Sequence, residues 1–100
     1  MSHFIILCWD KPDAHDARMA ARAAHFLHVE RVIDRIAIAG PMKTDDGGFA
    51  GSIFIIDAES EADARAFLAT DPYFTANIWE RIEVRPFVAA AGTWIGGKIW

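Results

Sequence analysis

The sequence predicts an α+β fold in which two helices cover one face of an antiparallel sheet. Short runs of β-branched and aromatic residues alternate with two longer helical patterns, in the order strand, helix, strand, strand, helix, strand. A chain of 100 residues has room for one hydrophobic core, so residues 1–100 are expected to form one domain. Together these observations favour a ferredoxin-like βαββαβ sandwich.

Each predicted element has a local signal in the sequence. The first helix follows Pro12, with Asp13 as its expected cap, and the second begins at Ser60. Gly40-Pro41 closes the second strand, and Asp71-Pro72 follows the second helix because a residue before proline is pushed out of the helical region. The predicted strands are residues 3–9, 36–39, 51–57 and 81–87, and the predicted helices are residues 13–35 and 60–69.

The first predicted strand is apolar on both of its faces. Ile5, Leu7 and Trp9 alternate with the residues that would face the helices. In a sandwich of this kind the chain's own helices cover only one face of the sheet. We therefore expect a second copy of the chain to cover the other face, which predicts a homodimer.

The last thirteen residues, 88–100, lie beyond the recognisable core of residues 3–87 and form an apolar C-terminal extension. This segment contains Trp94 and Trp100, which a disordered tail is not expected to carry. It is predicted to dock on its own subunit or on the partner, with both tryptophans largely buried against the partner or over the mouth of the pocket.

Composition excludes several classes of partner. The net charge of −4 and the scattered basic residues argue against a protein that binds nucleic acid. No apolar run is long enough to span a membrane, and the N-terminus has no signal-peptide pattern. Cys8 is the only cysteine, so an intramolecular disulfide is impossible, and a cytoplasmic location is expected.

The first predicted helix carries a polar strip that indicates chemistry. Arg18, Arg22 and His25 recur at spacings of four and three, which stack side chains on one side of a helix. Such a strip forms either an anion-binding wall beside a proton-transfer group, or two arginine stems that cover the sheet edge with His25 between them. A neighbouring apolar strip is expected to seat the helix on the sheet; its members are Met19, Phe26, Val29, Ile33 and Ile36.

A second candidate, Asp71, lies where the second helix ends. Alone, an Asp-Pro pair usually only caps the turn that follows it. In combination with other motifs, however, the sequence resembles the YciI-like family, and the resemblance runs from His3 to Phe87. The motifs are an opening apolar strand, Arg22-Ala23-Ala24-His25, Ala39-Gly40-Pro41, a third strand containing Gly51, Asp71-Pro72-Tyr73-Phe74 and Arg85-Pro86-Phe87.

The resemblance implies a dimeric α+β barrel built from ferredoxin-like subunits, each with a pocket that holds a His-Asp pair. Carried over by motif, the catalytic pair is His25 and Asp71, expected within hydrogen-bond distance, with Arg22 opening onto the same cavity. Arg18, Arg22 and Tyr73 are the expected substrate-binding residues. A relative that removes chloride from a chlorinated hydroxyhydroquinone indicates lyase-like or isomerase-like proton transfer on a small aromatic or anionic substrate.

General acid-base catalysis would follow from this pair. A carboxylate that holds one imidazole nitrogen fixes the tautomer, so the other nitrogen can take or give a proton. The scheme needs no covalent nucleophile, cofactor or metal. Two non-catalytic alternatives remain open: a module that binds a small anionic metabolite, and a structural dimer in which the polar strip is an ion-pair cluster at the subunit boundary.

Other candidate sites are weaker. His25 and His28 have a spacing that suits a metal, but no third ligand stands at a telling position. Cys8 is a conceivable nucleophile beside His25, although a cysteine inside an apolar strand usually packs as a small hydrophobic residue. The segment 45–48 resembles part of a calcium loop, and a hairpin tip explains it more simply.

Overall fold

A computed structural model describes residues 2–100 and contains a four-stranded antiparallel sheet with helices on one face. The strand order is β2-β3-β1-β4, and each neighbouring pair is antiparallel. This is the ferredoxin-like βαββαβ arrangement, so the predicted fold is confirmed. The strands are β1 (Ser2–Asp10), β2 (Ile36–Lys43), β3 (Phe49–Ala58) and β4 (Trp79–Phe87), and the helices are α1 (His15–Val32), α2 (Glu61–Ala69) and the one-turn α3 (Pro72–Thr75).

The ends of two elements differ from the prediction. Helix α1 starts after Ala14 without a side-chain cap, because Asp13 lies in a turn closed by a hydrogen bond from Ala14 N to Lys11 O (3.1 Å); the predicted Asp13 cap is therefore wrong. Strand β2 continues through Gly40-Pro41 to Lys43. A proline fits there because β2 lies at the edge of the sheet, where a missing backbone N–H breaks no ladder.

The core lies between the sheet and the helices. Because the side-chain period of a strand is two, every second residue of β1 and β3 faces the helices. Ser60 caps α2 by accepting a hydrogen bond from Asp63 N (3.1 Å), which fixes the start of the helix that closes the core. The fully buried large side chains are Phe54, Ile6, Ile56, Leu68, Ile78, Val84 and Cys8.

Helix α1 packs on the sheet through Arg18, His25 and small alanines, and only part of the apolar strip contributes. Phe26 is 50% exposed and Ile33 is 54% exposed, whereas Arg18 is only 3% exposed. The buried or half-buried positions Ala14, Arg18, Ala21 and His25 share one side of the helix. The predicted seating is therefore wrong for Phe26 and Ile33, whereas Met19, Val29 and Ile36 of the same strip are half-buried. The small alanines allow close approach to the sheet, and Arg18 finds polar partners there.

The opposite face of the sheet has no helix over it. Ile5 pairs with Ile55 and Leu7 pairs with Ile53, and the four side chains, together with Trp9, are half-buried. The uncovered face is thus an apolar surface of the folded domain.

Within residues 2–100, no helix combines the length and the apolar character needed to span a membrane.

Residues 88–100, the C-terminal arm, project from the domain as a short hairpin in which β5 (Ala91–Gly92) pairs with β6 (Gly97–Lys98). Trp94 is 84% exposed and Trp100 is 74% exposed. The prediction that the arm buries these tryptophans on its own subunit or over the pocket is therefore wrong, and docking on a partner stays a prediction. The arm and the uncovered sheet face together line a cavity of about 670 Å³.

Candidate functional site

A separate cavity of about 350 Å³ lies on the helical side of the sheet, between α1 and the β2–β3 edge. Its walls combine charged and aromatic side chains, as in sites that bind small molecules. All of the predicted site residues except Asp71 line this cavity, and Asp71 lies directly behind His25. Members of the wall include Arg18, Arg22, His25, Phe49, Phe54 and Tyr73.

His25 and Asp71 form a hydrogen-bonded pair. They are 46 positions apart in sequence, yet His25 Nδ1 lies 2.9 Å from Asp71 Oδ1 and 3.0 Å from Oδ2. Asp71 is also the N-cap of α3, where its Oδ1 accepts a hydrogen bond from Tyr73 N (2.8 Å). The predicted juxtaposition is confirmed. Capping holds the carboxylate in place, because the backbone of α3 fixes its orientation.

The contacts of His25 assign its tautomer. The carboxylate of Asp71 only accepts hydrogen bonds, so Nδ1 carries a hydrogen and Nε2 of the neutral ring has a free lone pair. Within residues 2–100, Nε2 has no hydrogen-bond partner, and it is not one of the solvent-inaccessible polar atoms. The ring stacks on Tyr73 with a centroid distance of 3.9 Å. The geometry therefore leaves one basic nitrogen open beside the cavity.

Arg18 lies deeper than the sequence predicts. Its Nε donates to Asp10 Oδ2 (2.9 Å), and its Nη2 donates to Asp10 Oδ1 (3.2 Å), Gly51 O (3.0 Å) and Ser52 Oγ (2.9 Å). Asp10 and Ser52 were missed by the sequence analysis. In the sequence, Asp10 appears only as a carboxylate at the end of an apolar strand, and Ser52 only as a hydroxyl inside another. Their contacts with Arg18 depend on how the strands pair across the sheet.

Arg22 behaves differently from Arg18. Its side chain is exposed and lies over the ring of Phe26, with 5.1 Å from Cζ to the ring centroid, at the wall of the cavity. No carboxylate of residues 2–100 pairs with it. Its charge is therefore available to an anion that enters from solvent.

Tyr73 is buried beneath His25, and burial raises the pKa of its hydroxyl, opposed by the nearby charge of Arg18. A raised pKa keeps the phenol protonated at neutral pH, since an ordinary tyrosine already titrates near 10. Tyr73 therefore adds no negative charge to the cavity, and its hydroxyl can donate a hydrogen bond to a ligand.

The weaker candidates do not gain support. Burial, reinforced by the negative charges of Asp71 and Asp10, raises the pKa of Cys8, so its thiol stays protonated and is a poor nucleophile. His28 Nε2 lies 3.3 Å from Thr70 Oγ1, and His28 does not line the cavity. Across residues 2–100, no three side chains of His, Cys, Asp or Glu are arranged to hold a metal ion. Segment 45–48 forms a hairpin tip, in which Gly47 N donates to Thr44 O (3.0 Å).

Comparison with known proteins gives a consistent result. The sequence model of the YCII-related domain matches residues 2–88. Protein YciI of Escherichia coli O6:H1 is 35% identical over 92 residues, which cover 84% of this chain and 94% of that protein. An uncharacterized protein of Haemophilus influenzae is 29% identical over 93 residues, covering 85% and 95%.

Solved structures extend the comparison. The 5-chloro-2-hydroxyhydroquinone dehydrochlorinase TftG from Burkholderia phenoliruptrix, in complex with 2,5-dihydroxybenzoquinone, has a TM-score of 0.79 and 28% identity, and the match covers 91% of this chain and 96% of that one. An antibiotic biosynthesis monooxygenase shares only the fold, with a TM-score of 0.52 and 17% identity. On the strength of the domain match and the sequence identity to protein YciI, this chain belongs to the YCII-related domain family.

Proposed function

We propose that this protein is an enzyme in which His25 and Asp71 transfer a proton to or from a small hydroxylated aromatic or enol-like substrate. The observation that carries the proposal is the contact between His25 and Asp71, from which the tautomer of His25 follows. Its Nδ1 is held by Asp71 while its Nε2 remains open beside the cavity. A module that only binds an anion could use arginines alone and would not need a buried carboxylate to orient an imidazole.

Elimination of chloride from a chlorinated hydroxyhydroquinone illustrates what such a site can do, and the similarity to TftG supports this substrate class. In the ketone tautomer, the carbon that bears chlorine also bears a hydrogen. His25 Nε2 accepts the proton of the ring hydroxyl para to the ketone, the O–H electron pair becomes a C=O bond, and the ring double bond shifts as chloride leaves. The products are a quinone, chloride and an imidazolium, so no oxidant is needed.

The other residues of the cavity support that step. Tyr73 stacks on the imidazole of His25 and restricts the ring to one plane. The positive charges of Arg22 and Arg18 at the wall attract and orient the negative oxygen that develops on the substrate. The aromatic side chains Phe49 and Phe54 supply flat apolar walls for a ring.

A turnover screen tests the proposal. The wild-type protein should be incubated with chlorinated and unchlorinated hydroquinones, catechols and small phenolic acids, with chloride release and the ultraviolet spectrum as readouts. We expect turnover of at least one hydroxylated aromatic compound. Tight binding of several compounds without turnover of any would instead favour the metabolite-binding module.

Asp71→Asn is expected to reduce turnover by about 10²-fold or more, yet less than removal of His25. Asparagine can still accept the hydrogen bond from Tyr73 N, so α3 stays capped. Its amide group, however, donates to His25 Nδ1 and moves the ring hydrogen to Nε2, which then cannot act as a base. Steady-state kinetics of purified Asp71→Asn and wild-type protein check this result, and unchanged turnover in a folded variant would contradict it.

We also propose that the working unit is a homodimer built on the uncovered sheet face. Ile5, Leu7 and Ile53 are half-buried side chains on this face, and the exposed Trp94 of the arm lines a cavity together with Ile55 of the same face. A stable interface buries about 1,200 Å² or more in total, which the sheet face and two arms together can supply. The cavity opens on the opposite, helical side, so pairing leaves it accessible.

Removal of residues 88–100 is expected to weaken the dimer by about tenfold or more, because each exposed tryptophan buries a large apolar area when it docks. Sedimentation velocity over a dilution series measures the effect on the full and shortened chains. Leu27→Ala is the matched control, since Leu27 is 55% exposed on α1, away from the proposed interface. The arm has no role in association if the shortened chain and the control dissociate at the same concentration.

A further inference from the structure

The guanidinium of Arg18 is fixed in the floor of the catalytic cavity by an unusually complete set of contacts. Its side chain is 4% exposed and that of Asp10 is 6% exposed. The plane of the group is also held by aromatic rings, with Cζ 4.8 Å from the centroid of Tyr73 and 4.9 Å from that of Phe49. Arg18 therefore cannot turn to meet a ligand.

The hydrogen-bond inventory of Arg18 shows which donors remain. A guanidinium has five N–H donors: one on Nε and two on each terminal nitrogen. Nε is used by Asp10, and the two hydrogens of Nη2 are shared among Asp10, Gly51 O and Ser52 Oγ. Nη1 makes no close hydrogen bond within residues 2–100, although the Tyr73 hydroxyl lies near enough to the guanidinium to interact with it, and Nη1 is not among the solvent-inaccessible polar atoms.

This arrangement has a chemical consequence. Arginine binds carboxylate and phosphate most strongly through two parallel N–H bonds from neighbouring nitrogens. Asp10 already occupies the Nε–Nη2 fork, and Nη2 has no hydrogen left to form a fork with Nη1. Arg18 can thus offer a ligand one nitrogen only, which suits a lone oxygen such as that of a phenolate or enolate.

We propose that Asp10 is a positioning residue that makes Arg18 a single-nitrogen donor, so that the cavity selects lone anionic oxygens over carboxylates. This inference rests on the function proposed above, because it names the substrate class of the same cavity. Tyr73 fits this role, since its protonated hydroxyl can donate to the same oxygen. Arg22 is exposed and unpaired, so it attracts either kind of anion at the entrance without choosing between them.

Titration calorimetry with two probes tests the selection. 4-Nitrophenolate and 4-nitrobenzoate share a ring and a single charge, and both are used at a pH at which they are ionised. Wild-type protein is expected to bind 4-nitrophenolate about tenfold or more tightly than 4-nitrobenzoate. Asp10→Asn breaks the two-bond pairing with Nε and Nη2, because an amide has only one acceptor oxygen, so Arg18 is held less firmly and can turn a second nitrogen toward the cavity. Affinity for 4-nitrobenzoate should then rise, and the preference should disappear or reverse. A purely structural role of Asp10 would lower both affinities together.

Asp63→Asn is the control, because Asp63 also pairs with an arginine, Arg35 at 2.9 Å, but lies outside the cavity wall. It changes the net charge by the same amount and should leave the preference intact. If Asp10→Asn fails to fold, Arg18→Lys provides the second test, with an expected loss of at least tenfold in affinity for 4-nitrophenolate.

Four results would overturn the inference: no binding of either probe to wild-type protein, equal affinity for both, an unchanged preference in folded Asp10→Asn, or unchanged 4-nitrophenolate affinity in Arg18→Lys. The probes report on binding alone. Their selectivity is measured without turnover, so wild-type protein that converts none of the screened compounds can still show it. A failure of catalysis is therefore distinguishable from a failure of oxygen selection.

Discussion

Replacement of His25 by alanine is expected to reduce turnover by about 10²- to 10⁴-fold, the contribution typical of a general acid-base group. The substitution removes the nitrogen that is open beside the cavity and leaves Asp71 to cap α3 through its bond to Tyr73 N. His25 is half-buried and lies at the edge of the core, so the fold should persist. Steady-state kinetics and circular dichroism of the same sample measure both properties.

His28→Ala is the matched control for this experiment. His28 lies three positions further along α1, and its Nε2 is 3.3 Å from Thr70 Oγ1 rather than beside the cavity. It should retain the turnover of the wild-type protein. Comparable turnover in His25→Ala and His28→Ala would show that proton transfer by His25 is not part of the reaction.

Gly51→Ala is expected to have the largest effect on stability, with a loss of about 3 kcal/mol or more in the free energy of unfolding. A methyl group at Gly51 would overlap the carbonyl oxygen of Cys8 and lie 2.7 Å from Met42 Cε. The Cys8 contact is backbone in the central strand β1, which cannot move without breaking its ladder with both neighbours. The carbonyl of Gly51 also accepts a hydrogen bond from Arg18, so the cavity floor should be disturbed as well.

Urea denaturation measures the change, and the adjacent edge strand supplies a control. A methyl group at Gly40 meets no atom within 4 Å, so Gly40→Ala should change the stability only slightly. Both glycines belong to the motifs that resemble the family, so the resemblance does not show which of them is sensitive to substitution. The packing around each glycine does. Equal urea midpoints for Gly51→Ala and Gly40→Ala would show that the close approach of β3 to β1 does not contribute to stability.

Much of the fold was predictable because its signals are local. Alternating apolar residues indicate the strands. Ser60 marks the start of α2, and Pro72 marks the start of α3. The His25–Asp71 contact was not predictable from either segment alone. It required the order of several weak motifs, because a contact across 46 positions leaves no periodic trace in the sequence.

The seating of α1 shows where local reasoning fails. Apolar periodicity assigns the sheet-facing side to the strip containing Phe26 and Ile33, but a cavity lies beside this helix and charged side chains of the helix line part of its wall. Arg18 is buried there because Asp10 and Ser52, from two different strands, complete its hydrogen bonds. Binary patterning assumes an apolar interior, so it fails where a cavity lined in part by charged side chains interrupts the core.

The exposure of the C-terminal arm has a different cause. An apolar segment must be covered, but composition does not say by which chain. The arm forms only a two-residue ladder between β5 and β6, and such a hairpin is marginal without a surface to pack against. Its exposed tryptophans therefore bear on how copies of the chain associate, and a single sequence specifies such association only indirectly.

In the proposed reaction, Asp71 holds His25 in the tautomer whose Nε2 serves as the base. Long-range ¹H–¹⁵N correlation spectra of uniformly ¹⁵N-labelled protein report directly which ring nitrogen carries the hydrogen, and the missing signal in His25→Ala assigns the ring. We predict that the neutral imidazole of His25 carries its hydrogen on Nδ1 and that Asp71→Asn moves this hydrogen to Nε2. A hydrogen on Nε2 in the wild-type protein would contradict the account.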